Sequence, residues 1–210
     1  KCGLDKGEYV IKVSNRKLIQ GLLENQKITS ELKQLAVIRA ADKLDRLGVT
    51  GVKALLSKGR KDKSGDFTKG AGLNKDQSKV VMTFLTLTAD KLSKNWTPQE
   101  LLSVYEATKP SLTFKEGINE LSQILELTKL SKFSDQIIFS PSVVRGIEYY
   151  TGTIFEANLL FKVKNKKGEE VEFGSVGGGG RYDDLVARFT QLTYPATGVS
   201  IGLDRLLYAV

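Results

Sequence analysis

The sequence predicts an α+β fold: a small antiparallel sheet interrupted by a nearly all-helical insertion. Three observations carry this reading. β-rich runs occur near both ends, at 8–13 and again after Ser134. Between them, over roughly 28–130, apolar residues recur at helical spacing. The later strands arrive as hairpins rather than strand–helix–strand units, which predicts antiparallel pairing. The expected division is 1–27, 28–132 and 133–210. A chain of 210 residues makes one or two domains. At that size it buries about 70% of its unfolded surface and needs no covalent or metal staple.

Each element has a local reason. Glu8–Val13 is β-rich and reads as a strand. Asn15 then caps a helix to about Glu24, with Leu18, Leu22 and Leu23 on one face. From Thr29 to Leu47 the spacing of Leu32, Leu35, Ala36, Ile38, Leu44 and Leu47 predicts one helix, which Gly48 should stop. A short helix over Val52–Ser57 follows, then a polar, glycine-rich stretch from Gly59 to Gly72 that reads as a mobile loop. Three helices are expected at 75–92, 97–108 and 113–128, the second with Thr97 as cap and Pro98 at its first position. Gln136–Phe139, Thr151–Val163 and Glu169–Phe173 read as strands, the last two joined by a turn in which Gly168 supplies positive φ. A helix to Phe189, a strand over Thr197–Ile201 and a helix over Leu203–Val210 complete the pattern.

Composition removes whole classes of chemistry. Hydrophobic residues at 40% and charged residues at 27% exclude wholesale disorder. There is one cysteine, Cys2, and no histidine. That leaves no intramolecular disulfide, no Cys/His zinc site and no histidine-based dyad or triad. Catalysis must run on carboxylates, arginine, lysine, tyrosine, backbone amides or bound ions. No apolar run reaches the roughly 18 residues of a membrane span, so no membrane partner is expected. The lone cysteine fits a reducing compartment, and the expected location is the cytoplasm, with an organelle left open. The chain opens on Lys1 and its one methionine is Met82, so it is expected to be a piece of a longer protein. The formal net charge is +8, and 53–79 carries eight basic residues against three acidic ones. Such a patch attracts phosphate backbones or is simply a solvated loop.

Three clusters carry chemistry. The first is Arg145-Gly146-Ile147-Glu148-Tyr149-Tyr150-Thr151-Gly152, at the mouth of a strand. Side chains alternate along a strand, so Tyr149 and Tyr150 are expected to point apart. The second is Gly177-Gly178-Gly179-Gly180-Arg181-Tyr182-Asp183, whose four glycines predict close approach of a backbone or a ligand. It lacks the Gly-Lys-Ser/Thr ending of a P-loop. The third runs from Gly198 to Leu207 and places Arg205 in the first turn of a helix. The helix dipole disfavours a cation there, so Arg205 is expected to face an anion.

Together these clusters closely resemble the histidyl-tRNA synthetase family of class II aminoacyl-tRNA synthetases. The first cluster is similar to the family's histidine-recognition motif, and the last to class II motif 3. The stretch Val13–Ile19 resembles the family's strand-to-helix segment. Two positions depart from the pattern: Glu148 stands where many members have Asp, and Asp184 where Gly is usual. The resemblance implies ATP-dependent activation of L-histidine followed by transfer to the acceptor end of tRNA(His), in an enzyme expected to be a homodimer. It implies Arg145 at the α-phosphate and the histidine carboxylate, and Arg205 with Gly202 at ATP. It implies Tyr149, Tyr150, Tyr182 and Glu148 around histidine, with Gly177, Gly178, Gly179 and Gly180 forming the strand beneath the substrate. ATP and Mg²⁺ are expected, with no metal held by the chain alone. Lys58, Arg60, Lys61 and Lys63 are expected to touch tRNA. By the same resemblance, motifs 1 and 2 and the anticodon-binding domain are expected to lie outside this chain. The alternatives are a non-catalytic regulatory paralogue of histidine biosynthesis and a plain RNA-binding module.

Overall fold

The computed structural model describes residues 3–89, 97–106, 108–144, 149–164, 168–172 and 174–209. Its centre is a five-stranded sheet in the order β4-β1-β5-β8-β9. The strands are β1 (Tyr9–Asn15), β4 (Ile137–Phe139), β5 (Thr153–Leu159), β8 (Ser175–Tyr182) and β9 (Ala196–Ile201). The sheet is mixed, which corrects the all-antiparallel expectation. β1 and β4 pair in parallel, Ile11 opposite Ile137 and Val13 opposite Phe139. The remaining pairs, β1–β5, β5–β8 and β8–β9, are antiparallel. Parallel neighbours need a long crossover, and here the helical block supplies it.

Asn15 does cap α1 (Arg16–Asn25): its side chain accepts from the Lys17 N–H at 2.9 Å. The single helix expected over Thr29–Leu47 is instead two, α2 (Glu31–Ala41) and α3 (Leu44–Leu56). The chain tightens between them, Lys43 N–H donating to Ala40 O in a three-residue turn. Gly48 interrupts helical geometry as expected, with φ of 65°, although α3 resumes beyond it. The expected mobile loop at 59–72 holds a hairpin, β2 (Gly59–Lys61) against β3 (Phe67–Lys69). Its turn is closed by Asp62, whose Oδ1 accepts from Ser64 N, Ser64 Oγ and Asp66 N. Those bonds hold the Asp62 carboxyl below its usual range, Ser64 Oγ contributing most.

The helices α4 (Lys75–Ala89), α5 (Pro98–Glu106) and α6 (Leu112–Lys129) follow the predicted pattern. Thr97 and Glu100 form a reciprocal capping box at the start of α5. The run expected over Thr151–Val163 divides: β5 belongs to the main sheet, while β6 (Lys162–Lys164) pairs with β7 (Glu170–Glu172) alone. Gly168 has the positive φ expected of it, 80°. The helix expected to reach Phe189 is a single turn, α7 (Ala187–Thr190), ended by Gln191 in the left-handed region. Finally α8 (Leu203–Ala209) leaves β9. No helix among the described residues is long and apolar enough to cross a membrane.

One hydrophobic cluster joins α1 to the helical block, from Leu18, Leu22 and Leu23 through Val37, Ile38, Val52 and Leu85 to Phe114, Ile118 and Leu121. The rings of Phe84, Tyr105 and Phe114 meet in a chain, with centroids 5.8 and 5.3 Å apart. Tyr105 is the weak point of this core. Its hydroxyl is buried and has no hydrogen-bond partner, and burial pushes it up from 10.0 to about 12. Because the folded chain holds this proton more tightly than the unfolded chain, stability is expected to fall as pH rises from about 10 to about 12. Tyr105→Phe removes the orphan group. Denaturant unfolding should show a gain of about 1 kcal/mol, and that part of the alkaline loss should disappear.

Candidate active site

Four side chains clamp α1 to α6 next to the sheet. Asn15 Nδ2 donates to Glu120 Oε2 at 2.6 Å. Lys17 Nζ reaches Glu120 at 2.8 Å and Glu116 at 3.0 Å, and those hydrogen bonds, that to Glu120 foremost, raise the Lys17 ammonium above its usual range. The Arg16 N–H donates to Gly152 O at 2.8 Å, tying the start of α1 to the segment that carries the tyrosines.

Tyr149 and Tyr150 lie before β5 begins, Tyr149 in a turn and Tyr150 in the link that follows, outside the strand pairing. Strand alternation therefore does not govern them, and the expectation that they point apart fails. Their rings meet edge to face at 4.5 Å. Tyr182, at the end of β8, brings its ring to 6.4 Å from that of Tyr150. Glycines make room beneath both rings. A Cβ on Gly180 would stand 2.9 Å from Tyr150 Cδ1, and one on Gly198 would meet the Tyr182 hydroxyl. The Tyr150 hydroxyl is pushed up to about 12, first by desolvation and then by its bond with Tyr149. It stays protonated, a donor, at any physiological pH.

The four glycines occupy the middle of β8, in register with β5 on one side and β9 on the other. Gly178 pairs with Glu156 and Ser200. A Cβ there would find only Phe155 O within 4 Å, at 3.3 Å, so the strand is bare above Gly178. Gly180→Ala would push its Cβ into both Thr153 O, at 2.6 Å, and the Tyr150 ring. It is expected to lower unfolding stability by about 1–3 kcal/mol, read by denaturant titration.

Beside the tyrosines, Thr151 Oγ1 donates to Asp183 Oδ2 at 2.7 Å, and Arg181 Nε donates to Asp183 Oδ1 at 3.0 Å. Desolvation opposes ionisation of Asp183, but these two donors prevail and hold its carboxyl below the usual range.

Arg205 lies at the other end of β8. Its Nη1 donates to Ser175 O at 2.8 Å, and Gly202 N–H donates to Val176 O at 2.8 Å, so α8 is tied to the start of that strand. From Ser175 to Tyr182 the strand rise gives about 23 Å. The structure thus brings Tyr149, Tyr150 and Tyr182 together, and sets Arg205 and Gly202 apart from them along the glycine floor. Arg145 and Glu148 lie outside the described residues. Lys58, Arg60, Lys61 and Lys63 lie on or beside the β2–β3 hairpin, which is a separate sheet from this one.

Two residues escaped the sequence reading. Glu156, 6% exposed, sits on the sheet opposite Gly178. Its signal was a carboxylate in the middle of a β-rich strand. Arg16 has a buried Nη1 without a partner, and desolvation lowers it to about 10. Nothing in its spacing marked it, because the position reads as an ordinary first helical residue.

The family model described as histidyl-tRNA synthetase matches residues 2–206. A histidine–tRNA ligase from Cereibacter sphaeroides is 47% identical over 99% of this chain and 43% of its own length. One from Rhizobium meliloti is 49% identical over 99% of this chain and 41% of its own. The chain thus spans less than half the length of these curated relatives. Among solved structures, histidyl-tRNA synthetase from Nostoc sp. PCC 7120 superposes with a TM-score of 0.74 at 27% identity, over 96% of this chain and 41% of that one. The chain belongs to the histidyl-tRNA synthetase family.

Proposed function

We propose that this chain handles histidine and ATP within a histidine–tRNA ligase. In that reading L-histidine is activated to histidyl-adenylate and then passed to the acceptor end of tRNA(His). The observation that carries it is the bare glycine strand, with a tyrosine cluster at one end and an arginine at the other. The tyrosines offer flat faces and hydroxyls to an imidazole. Arg205 offers a fixed cation to a triphosphate, and the missing side chain at Gly178 leaves room for a long substrate along the floor. Activation is an in-line displacement at the α-phosphate by the substrate's own carboxylate. The protein must therefore supply position and charge stabilisation, which suits a chain without histidine. Arg145 is assigned the α-phosphate and carboxylate, and Glu148 a supporting role beside the histidine. Mg²⁺ would arrive with ATP and neutralise its phosphates.

The complete enzyme is proposed to be a homodimer, with 28–132 as an insertion facing tRNA. Identities of 47% and 49% to ligases favour this reading over a regulatory paralogue. The test is histidine-dependent exchange of pyrophosphate into ATP by the complete natural protein that carries this chain. Exchange with histidine and with no other amino acid is expected. Its absence would overturn the reading.

A further inference from the structure

The β2–β3 hairpin has an architecture of its own. Gly59 pairs with Lys69, Arg60 with Thr68, and Lys61 with Phe67. Residues directly opposite share a face, so Gly59, Lys61, Phe67 and Lys69 line one face and Arg60 and Thr68 the other. The Phe67 ring lies diagonally over Gly59: a Cβ on Gly59 would stand 2.8 Å from Phe67 Cζ. One side of the ring rests in that glycine berth, yet Phe67 is 60% exposed. A single exposed phenylalanine is ordinary. A ring seated on glycine between two lysines, on an outward face, is not.

The charges sharpen the point. The two acids of the turn are occupied within it, Asp62 by Ser64 and Asp66 N–H, and Asp66 by Ser64 Oγ. Among the described residues, no carboxylate lies within 4 Å of Lys61 or Lys69. Arg60 turns the other way, its Nη1 3.8 Å from where a Gly51 side chain would begin on α3.

We propose that this face is a stacking platform for an unpaired nucleotide of tRNA, with the base on Phe67 and the flanking phosphates on Lys61 and Lys69. The inference rests on the reading that the complete protein acts on tRNA. Every base has a flat face, so such a platform adds affinity without selecting sequence, and the lysines add a salt-dependent share. An apolar protein surface would use the ring but leave both cations facing no anion. That occupant is an outcome of the test.

The experiment measures binding of a tRNA(His) transcript to the complete natural protein at several salt concentrations. Phe67→Ala and Phe67→Leu should each weaken binding about tenfold, with the salt slope unchanged. Leucine keeps an apolar cover over Gly59, so its loss of affinity separates stacking from folding. Phe67→Tyr should bind as the parent. The double variant Lys61→Ala, Lys69→Ala should flatten the slope by about two, whereas Arg60→Ala should not. Parental affinity in Phe67→Leu, or an unchanged slope in the lysine variant, would overturn the platform and leave a protein-docking face. Histidine-dependent pyrophosphate exchange should be the same in all of them. Its absence from the unmutated protein would instead overturn the ligase reading.

Discussion

Replacing Arg145 with alanine in the complete natural protein is expected to lower histidine-dependent pyrophosphate exchange by 10²–10³-fold. In the proposed reaction charge builds at the α-phosphate as the histidine carboxylate attacks, and a cation aimed there would contribute on the order of 3–4 kcal/mol. The chain on either side of this arginine is firmly held. Val143 and Val144 are buried upstream, and Tyr150 rests against Gly180 downstream. Lysine should restore little, because the fork proposed to hold phosphate and carboxylate together is not replaced by a point charge. Exchange within tenfold of the parent would remove Arg145 from the reaction.

The second large effect concerns the fold. Phe114→Ala is expected to destabilise by about 3–5 kcal/mol, measured by denaturant unfolding. Phe114 is 1% exposed, joins the ring chain through Tyr105, and packs where α6 crosses α1 at Gly21. A Cβ on Gly21 would lie 2.5 Å from Phe114 N, so the two helices are in backbone contact and cannot settle into the cavity. A loss below 1 kcal/mol would mean that this crossing is soft.

What could be read from the sequence was local. Asn15, Pro98 and Gly168 each announce a cap, a first turn or a positive φ through their own covalent structure, and each behaves so. What could not be read depends on partners far along the chain. β4 joins β1 in parallel across the whole helical block, and no pattern within three apolar residues reveals that. The hairpin at 59–69 was hidden because its turn is closed by the Asp62 side chain, while its composition reads as loop. In the site, the tyrosines and glycines were legible as types. Their arrangement was not, because Tyr149 and Tyr150 lie outside the strand, where alternation has no force. Glu156 entered only through its register with Gly178.

The clamp between α1 and α6 has a mechanical consequence. Glu120 bonds both Asn15 and Lys17, and the backbone of Arg16 between them bonds Gly152. Glu120 thus sits on the final helix of the block, one hydrogen bond from each neighbour of Arg16, and Gly152 would bring a Cβ within 3.3 Å of it. A tilt of α6 is a displacement of Gly152, hence of Thr151 and its hold on Asp183. The helical block and the tyrosine end of the glycine floor share one lever, with Glu120 as its fulcrum. A load on the block has a direct route to the tyrosine segment through these hydrogen bonds, one that does not pass along the strands.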